Sequence, residues 1–175
     1  MAHSSDTAFS GFEPLGKATR FAEDIHEVIG QAPLFGDLSS REVAALCEFM
    51  DCYAAPRHGV LIREGEAGDF LVILLTGKAV VVKEGSDGIR RAIASVGPGE
   101  ALGEMSIIDG GVRFATCIAT EPVDFAVLDR KALNEILASL PRLGNKILLL
   151  LLQLMAQRLR DTGLRLLPHL ESSIV

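Results

Sequence analysis

The sequence predicts an α+β fold: a jelly-roll-like β-roll of about eight antiparallel strands, flanked by N-terminal helices and a long C-terminal helix. Three observations predict it. Between Tyr53 and Leu128, short apolar runs (GVLI, FLVILL, KAVVVK, RRAIASV, CIAT, FAVLD) alternate with Gly- and Pro-bearing breaks, at the spacing of strands and turns. On either side of that region, apolar residues recur at helical spacing instead. Apolar residues make up 49% of the 175 positions, enough to fill the core of one domain of ordinary size.

Residues 1–19, rich in Ser, Gly and Ala, read as a flexible lead-in. Residues 20–52 hold two helices. Phe21, Ile25, Val28 and Ile29 mark the inner face of the first. Ser39-x-x-Glu42 reads as a capping box that opens the second, which runs to Met50. Residues 53–128 form the roll, and Glu-Gly-Ser-Asp-Gly at 84–88 is a hairpin turn within it. Residues 129–167 return to helix. Asp129 can cap a helix over 130–138 with Leu133, Ile136 and Leu137 facing inward. Ser139 and Pro141 then restart the chain as a long helix that ends before Pro168, leaving 168–175 as a tail.

The composition narrows the function. A net charge of −6 and a pI of 5.2 argue against specific nucleic-acid binding, which needs a basic face. The greasiest stretch, Ile147–Ala156, is about half the roughly 20 residues that a bilayer span needs, so no membrane association is expected. The N-terminus has no basic segment followed by an apolar run, so no secretion signal is visible. Cys47, Cys52 and Cys117 are odd in number and unpaired in spacing, as expected of reduced thiols in a cytoplasmic protein. Cys47 shares a helical face with Val43, Leu46 and Met50 and reads as a core residue. Gly77-Lys78 lacks the rest of a P-loop, the Gly97, Gly99 and Gly103 spacing is not a dinucleotide fingerprint, and the four histidines are scattered. Neither an enzyme nor a metal or cofactor site is expected.

One stretch stands out. Gly103-Glu104-Met105-Ser106-Ile107 is followed by the Asp109-Gly110-Gly111 break and then Arg113-Phe114-Ala115-Thr116. Gly59-Val60-Leu61-Ile62-Arg63-Glu64-Gly65-Glu66-Ala67-Gly68-Asp69 lies upstream, with Gly77 after the next strand and Gly97-Pro98-Gly99-Glu100 before the block. Over residues 35–165 this pattern resembles the cyclic nucleotide-binding domain family, which includes catabolite activators and the regulatory subunits of cyclic-AMP-dependent kinase. The block 103–116 is similar to that family's phosphate-binding cassette. Val112 stands where the family usually has Pro, and Phe114 where it has a small residue.

The resemblance implies a cyclic nucleotide ligand, cyclic AMP rather than cyclic GMP, and a phosphate and sugar site from Gly103, Glu104, Met105, Ser106, Arg113, Phe114 and Ala115. The planar fork of Arg113 suits two phosphate oxygens, and Glu104 suits the ribose 2′-hydroxyl. Val81, Ile93 and Val96 are expected to line the base pocket, with Thr162 reaching the adenine amine. Phe114 has no hydroxyl to offer guanine.

Leu148, Leu152, Met155, Leu159, Thr162 and Leu166 recur at alternating steps of four and three, a coiled-coil seam that predicts a homodimer through residues 142–167. Arg158, Arg160 and Arg165 read as a solvated face. The expected function is a regulatory module that couples occupancy to movement of this helix and acts on an unknown downstream protein. Two alternatives remain open: a nucleotide-blind oligomerisation module, and the sensor part of a transcription regulator if a helix-turn-helix continues the chain, since only seven residues follow Pro168.

Overall fold

The computed structural model of the protein describes residues 8–30 and 36–171, with side chains to Leu167. In chain order the elements are β1 (Glu13–Lys17), a 3₁₀ turn (Ala18–Phe21), α1 (Ala22–Gly30), α2 (Ser40–Cys47), β2 (Asp51–Ala55), β3 (Val60–Ile62), β4 (Phe70–Leu74), β5 (Ala79–Glu84), β6 (Arg90–Val96), β7 (Ala101–Leu102), α3 (Glu104–Asp109), β8 (Thr116–Ala119), β9 (Val123–Asp129), α4 (Arg130–Ser139) and α5 (Pro141–Glu171). The strands form two antiparallel sheets, ordered β1-β2-β9-β4-β7 and β3-β8-β5-β6. The expected α+β roll with a long last helix is what the chain adopts.

Two apolar cores follow from the period-two alternation of strand side chains. Phe70, Val72 and Leu74 of β4 point between the sheets, with Phe125 and Val127 of β9. Leu71 and Ile73 point the other way, onto a second core made with Ile25, Ile29, Val43, Leu46, Leu133, Ile136, Leu143, Ile147, Leu150 and Leu151 of the helices. The run FLVIL is buried throughout because helices cover one face of its sheet and the second sheet covers the other. Cys47, Cys52 and Cys117 are all buried as free thiols, and desolvation pushes them up to about 11, 12 and 12 respectively.

Two sequence expectations are corrected. Of the lead-in 1–19, residues 1–7 lie outside the described residues, but the remainder is built into the roll. Phe9 is 1% exposed in the inner core, and β1 pairs with β2 from Glu13↔Ala54 to Lys17↔Asp51, closed by the Lys17–Asp51 ion pair at 2.9 Å. Pro14 is tolerated because β1 is an edge strand, with a register shift between Pro14 and Gly16. The long helix also does not end before Pro168: its backbone runs to Glu171. A proline there forfeits one hydrogen bond close to a helix end, where water can satisfy the freed carbonyl. Residues 172–175 of the predicted tail lie outside the described residues.

The capping box is formed as expected. Ser39 N–H and Oγ both donate to Glu42 Oε2 at 2.8 Å, and Lys146 Nζ of α5 donates to the same oxygen at 2.9 Å. The Ser39 backbone N–H first, and then Lys146, draw the Glu42 carboxyl down from 4.5 to about 2. A carboxyl depressed in the folded state contributes stability above its ordinary value, and that stability is lost as pH falls through the folded value. The melting-temperature gap between the parent and Glu42→Gln should therefore be constant above pH 5 and close as pH falls from about 4.5 to 2. A gap that stays constant down to pH 2 would refute this account of the tie between α2 and α5.

Candidate functional site

The block 103–116 leaves β7, forms the short helix α3 and enters β8. Gly103 is the N-cap of α3 with φ 80°, a left-handed conformation that favours glycine. A Cβ there would overlap the Arg113 guanidinium, and one at Gly68 would overlap it too, so these two glycines leave the space that the arginine fills. The loop after α3 is tied to the turn after β3. Arg113 N–H donates to Glu66 O and Gly65 N–H to Arg113 O, both at 2.9 Å, and Ala67 bridges Val112.

Arg113 is only 3% exposed. Its Nη2 donates to Phe70 O at 2.8 Å and its Nη1 to Gly103 O at 3.1 Å, while the guanidinium carbon stands 4.2 Å from the Phe70 ring centroid. Among the described residues, no carboxylate forms an ion pair with it. Desolvation lowers its pKa below the ordinary guanidinium value. Asp69 and Glu104 act on it only from beyond ion-pair distance, so a buried cation held by two carbonyls and a ring still has room for a paired anion.

Glu104 is equally buried at 3%. Its Oε1 is paired with Arg158 Nη1 of α5, and Arg158 Nη2 donates to Ala101 O at 2.7 Å. One turn on, Thr162 donates its hydroxyl to Arg158 O at 2.7 Å and is exposed. Arg165 Nη1 then reaches Ile93 O of β6 at 2.8 Å. Residues 158, 162 and 165 share one helix face by their spacing, so Thr162 sits between two arginines that grip the roll. Arg158, half-buried, is therefore not part of the solvated face that the sequence suggests; Arg160 and Arg165 are exposed, as expected, although Arg165 also reaches the roll.

The other predicted residues divide. Ser106 and Ala115 are buried beside Arg113 and Glu104, whereas Met105 and Phe114 face outward at 43% and 56% exposure. Strand-like alternation turns Arg113 and Ala115 inward and Phe114 out. Outside, Lys83 Nζ stands 4.6 Å from the Phe114 ring centroid and donates to Phe114 O at 2.8 Å, so the ring packs away from the arginine. Val96 is 5% exposed in the inner core with Val81 packed against it. Ile93 lies where the β5–β6 register shifts between Val81 and Val82, half-exposed.

Sequence reasoning missed Arg158, Phe70, Gly68 and Arg130. Arg130, at the start of α4, donates Nη2 to Ser106 O, the carbonyl near the C-terminal end of α3, while its buried Nε has no partner among the described residues. For Arg158 a signal existed: it lies four residues before Thr162, on the same helix face.

Residues 54–139 match the family profile described as the cyclic nucleotide-binding domain. A solved cyclic nucleotide-binding domain from Methylobacillus flagellatus is 44% identical and superposes with a TM-score of 0.86, with 97% of each chain covered. The CRP-like cAMP-activated global transcriptional regulator of Mycobacterium tuberculosis is 31% identical over 137 residues, 78% of this chain and 59% of that protein. The regulatory domain of Toxoplasma gondii PKA, solved with cAMP, is 29% identical with a TM-score of 0.60, covering 67% of this chain and 44% of that one. The chain spans less than two thirds of the length of the curated CRP-like and cyclic AMP receptor relatives that it matches. With 44% identity and near-complete coverage in both directions, the chain belongs to the cyclic nucleotide-binding domain family.

Proposed function

We propose that this domain is a non-enzymatic regulatory module that binds cyclic AMP in preference to cyclic GMP and passes occupancy to α5. The observation that carries the proposal is Arg113, a buried guanidinium with no carboxylate partner among the described residues, sitting between the two glycines that leave room for it. A cyclic phosphate supplies the missing anion, and the forked donor can turn to two of its oxygens. Glu104 takes the ribose 2′-hydroxyl, and Val81 and Ile93 offer apolar surface to the base, backed by Val96 in the inner core. Phe114 turns its ring outward beside Lys83, which supports this reading over the nucleotide-blind alternative.

Coupling to α5 runs through Glu104. Its carboxylate is now held by Arg158, so a ribose hydroxyl that takes the same oxygen loosens the hold on the helix. The apolar seam of α5 then serves a second copy of the chain. DNA binding is expected to be absent or non-specific, from the acidic balance, and the setting is the cytoplasm. Calorimetric titration of the purified chain with each nucleotide tests the reading. Saturable one-site binding of cyclic AMP supports it, and no heat or displacement with either nucleotide overturns it.

The purine preference should be modest. Thr162 has one hydroxyl, now given to its own helix, and exchanging it for an adenine contact is worth about 0.5–1.5 kcal/mol, roughly 2- to 12-fold in affinity. Thr162→Ala should erode the cyclic AMP over cyclic GMP ratio while leaving cyclic GMP affinity unchanged, as read by competitive displacement of a labelled nucleotide. Equal parent affinities for the two nucleotides would sink the preference.

A further inference from the structure

The N-terminal segment reaches the cation site from behind. Phe9 lies 1% exposed inside the roll. Its ring meets Phe70 edge-on, with centroids 4.8 Å apart at 64°, and also touches Tyr53 and Phe125, each at 5.2 Å. Phe70 in turn carries the Arg113 guanidinium over its ring at 4.2 Å and accepts from Nη2 through its carbonyl at 2.8 Å. One residue thus contacts Phe9 with its ring and Arg113 with both ring and backbone. A cation is attracted to a ring face and not to its edge, so the tilt of Phe70 decides whether the contact exists. The torsion about that ring's last bond is broad, and what packs against the ring sets it. Phe9 is one such neighbour, and β1 with its Lys17–Asp51 ion pair anchors the segment that carries it.

We propose that Phe9 is a positioning residue for Arg113: by fixing the tilt of the Phe70 ring it holds the guanidinium in the place from which an anion is met. The segment before the profile-matched region is then part of how the site is built, although it touches no ligand. The inference rests on the nucleotide reading for its affinity measurement only; its first measurement needs no ligand.

That measurement is the Arg113 Nε–H resonance of the ¹⁵N-labelled full chain, assigned by its loss in Arg113→Lys. In Phe9→Leu, which fills the space without a ring, the resonance should shift and exchange faster with water. Phe12→Leu is the control for a merely structural effect, because the Phe12 ring contacts Phe9 and Phe125 and not Phe70. It should leave the resonance in place. If Phe9→Leu does not melt cooperatively, Phe9→Met, a more adaptable filler, replaces it. Cyclic AMP binding should weaken roughly 2- to 12-fold in Phe9→Leu, the worth of one aromatic contact, with no further loss when Phe9→Leu is added to Arg113→Ala. An unchanged resonance in a folded Phe9 variant overturns the proposal, as does equal movement in Phe12→Leu or the same affinity loss with and without Arg113. A parent chain that binds no cyclic AMP refutes the nucleotide reading and leaves the resonance to decide the role of Phe9.

Discussion

Arg113→Ala should weaken cyclic AMP binding by about 30-fold or more, the largest loss expected from any single polar substitution in the site. Removing one partner of a desolvated, hydrogen-bonded charge pair costs on the order of 2–5 kcal/mol, and the lower end already gives that factor. Arg113 is buried to 3% and forms no ion pair among the described residues, although the Asp69 and Glu104 charges act on it from further off. Arg113→Lys should fall between parent and Ala, because it keeps the charge and loses the planar fork. The substitution also leaves Phe70 O and Gly103 O without their donor, so the apo protein should melt earlier as well. Titration calorimetry with a parallel thermal melt separates the two effects. If a folded Arg113→Ala binds as tightly as the parent, the cassette is not the phosphate site.

The pair Leu152→Glu and Leu159→Glu should convert the proposed dimer to a monomer without unfolding the chain. These side chains are 58% and 74% exposed, and Leu166, further along the same seam, is 53% exposed. Burying a leucine is worth about 1.5–3 kcal/mol, and a two-fold seam buries each of them twice, so losing both removes several kcal/mol from the association. Adding carboxylates that would face each other across the axis makes it worse. Leu150 and Leu151 of the same helix are 3% and 0% exposed and belong to the core under the five-stranded sheet. Ending the chain at Leu140 would strip them out with Leu143 and Ile147, so truncation would test folding instead of association. Light scattering at matched concentration is the measurement. A parent that is monomeric, or a variant that stays dimeric, places no interface on this seam.

Most of the roll could be read from the chain because its signals are local. β3 to β6, β8 and β9 announce themselves by short apolar runs between turns, whereas the two-residue β7 does not, and the Ser39–Glu42 box and the Asp129 cap are formed by residues three apart. β1 has no such signal: Glu-Pro-Leu-Gly-Lys is a poor strand sequence, and only its pairing with β2, more than thirty residues on, makes it one. The site divides in the same way. Glu104 and Arg113 lie within one motif and were visible together. Arg158 is 54 residues from Glu104, and helical periodicity shows which residues share a face but not how that face is turned toward the roll. Phe70 looked like one more strand residue, since nothing in FLVIL indicates that a cation rests on its first ring.

On the proposed reading, Glu104, which Arg158 engages, has the ribose as a second claimant, and thermodynamic linkage would make that competition run both ways. By whatever factor a bound ribose weakens the grip of α5, a change that pulls α5 away from Glu104 strengthens the ribose site by the same factor. A protein that captured the freed helix would therefore read out as a leftward shift of the nucleotide titration curve, and one that clamped the helix down would shift it to the right. If the proposed coupling holds, the saturation curve of this small domain would be an instrument for detecting such a protein, without that protein having to touch the pocket.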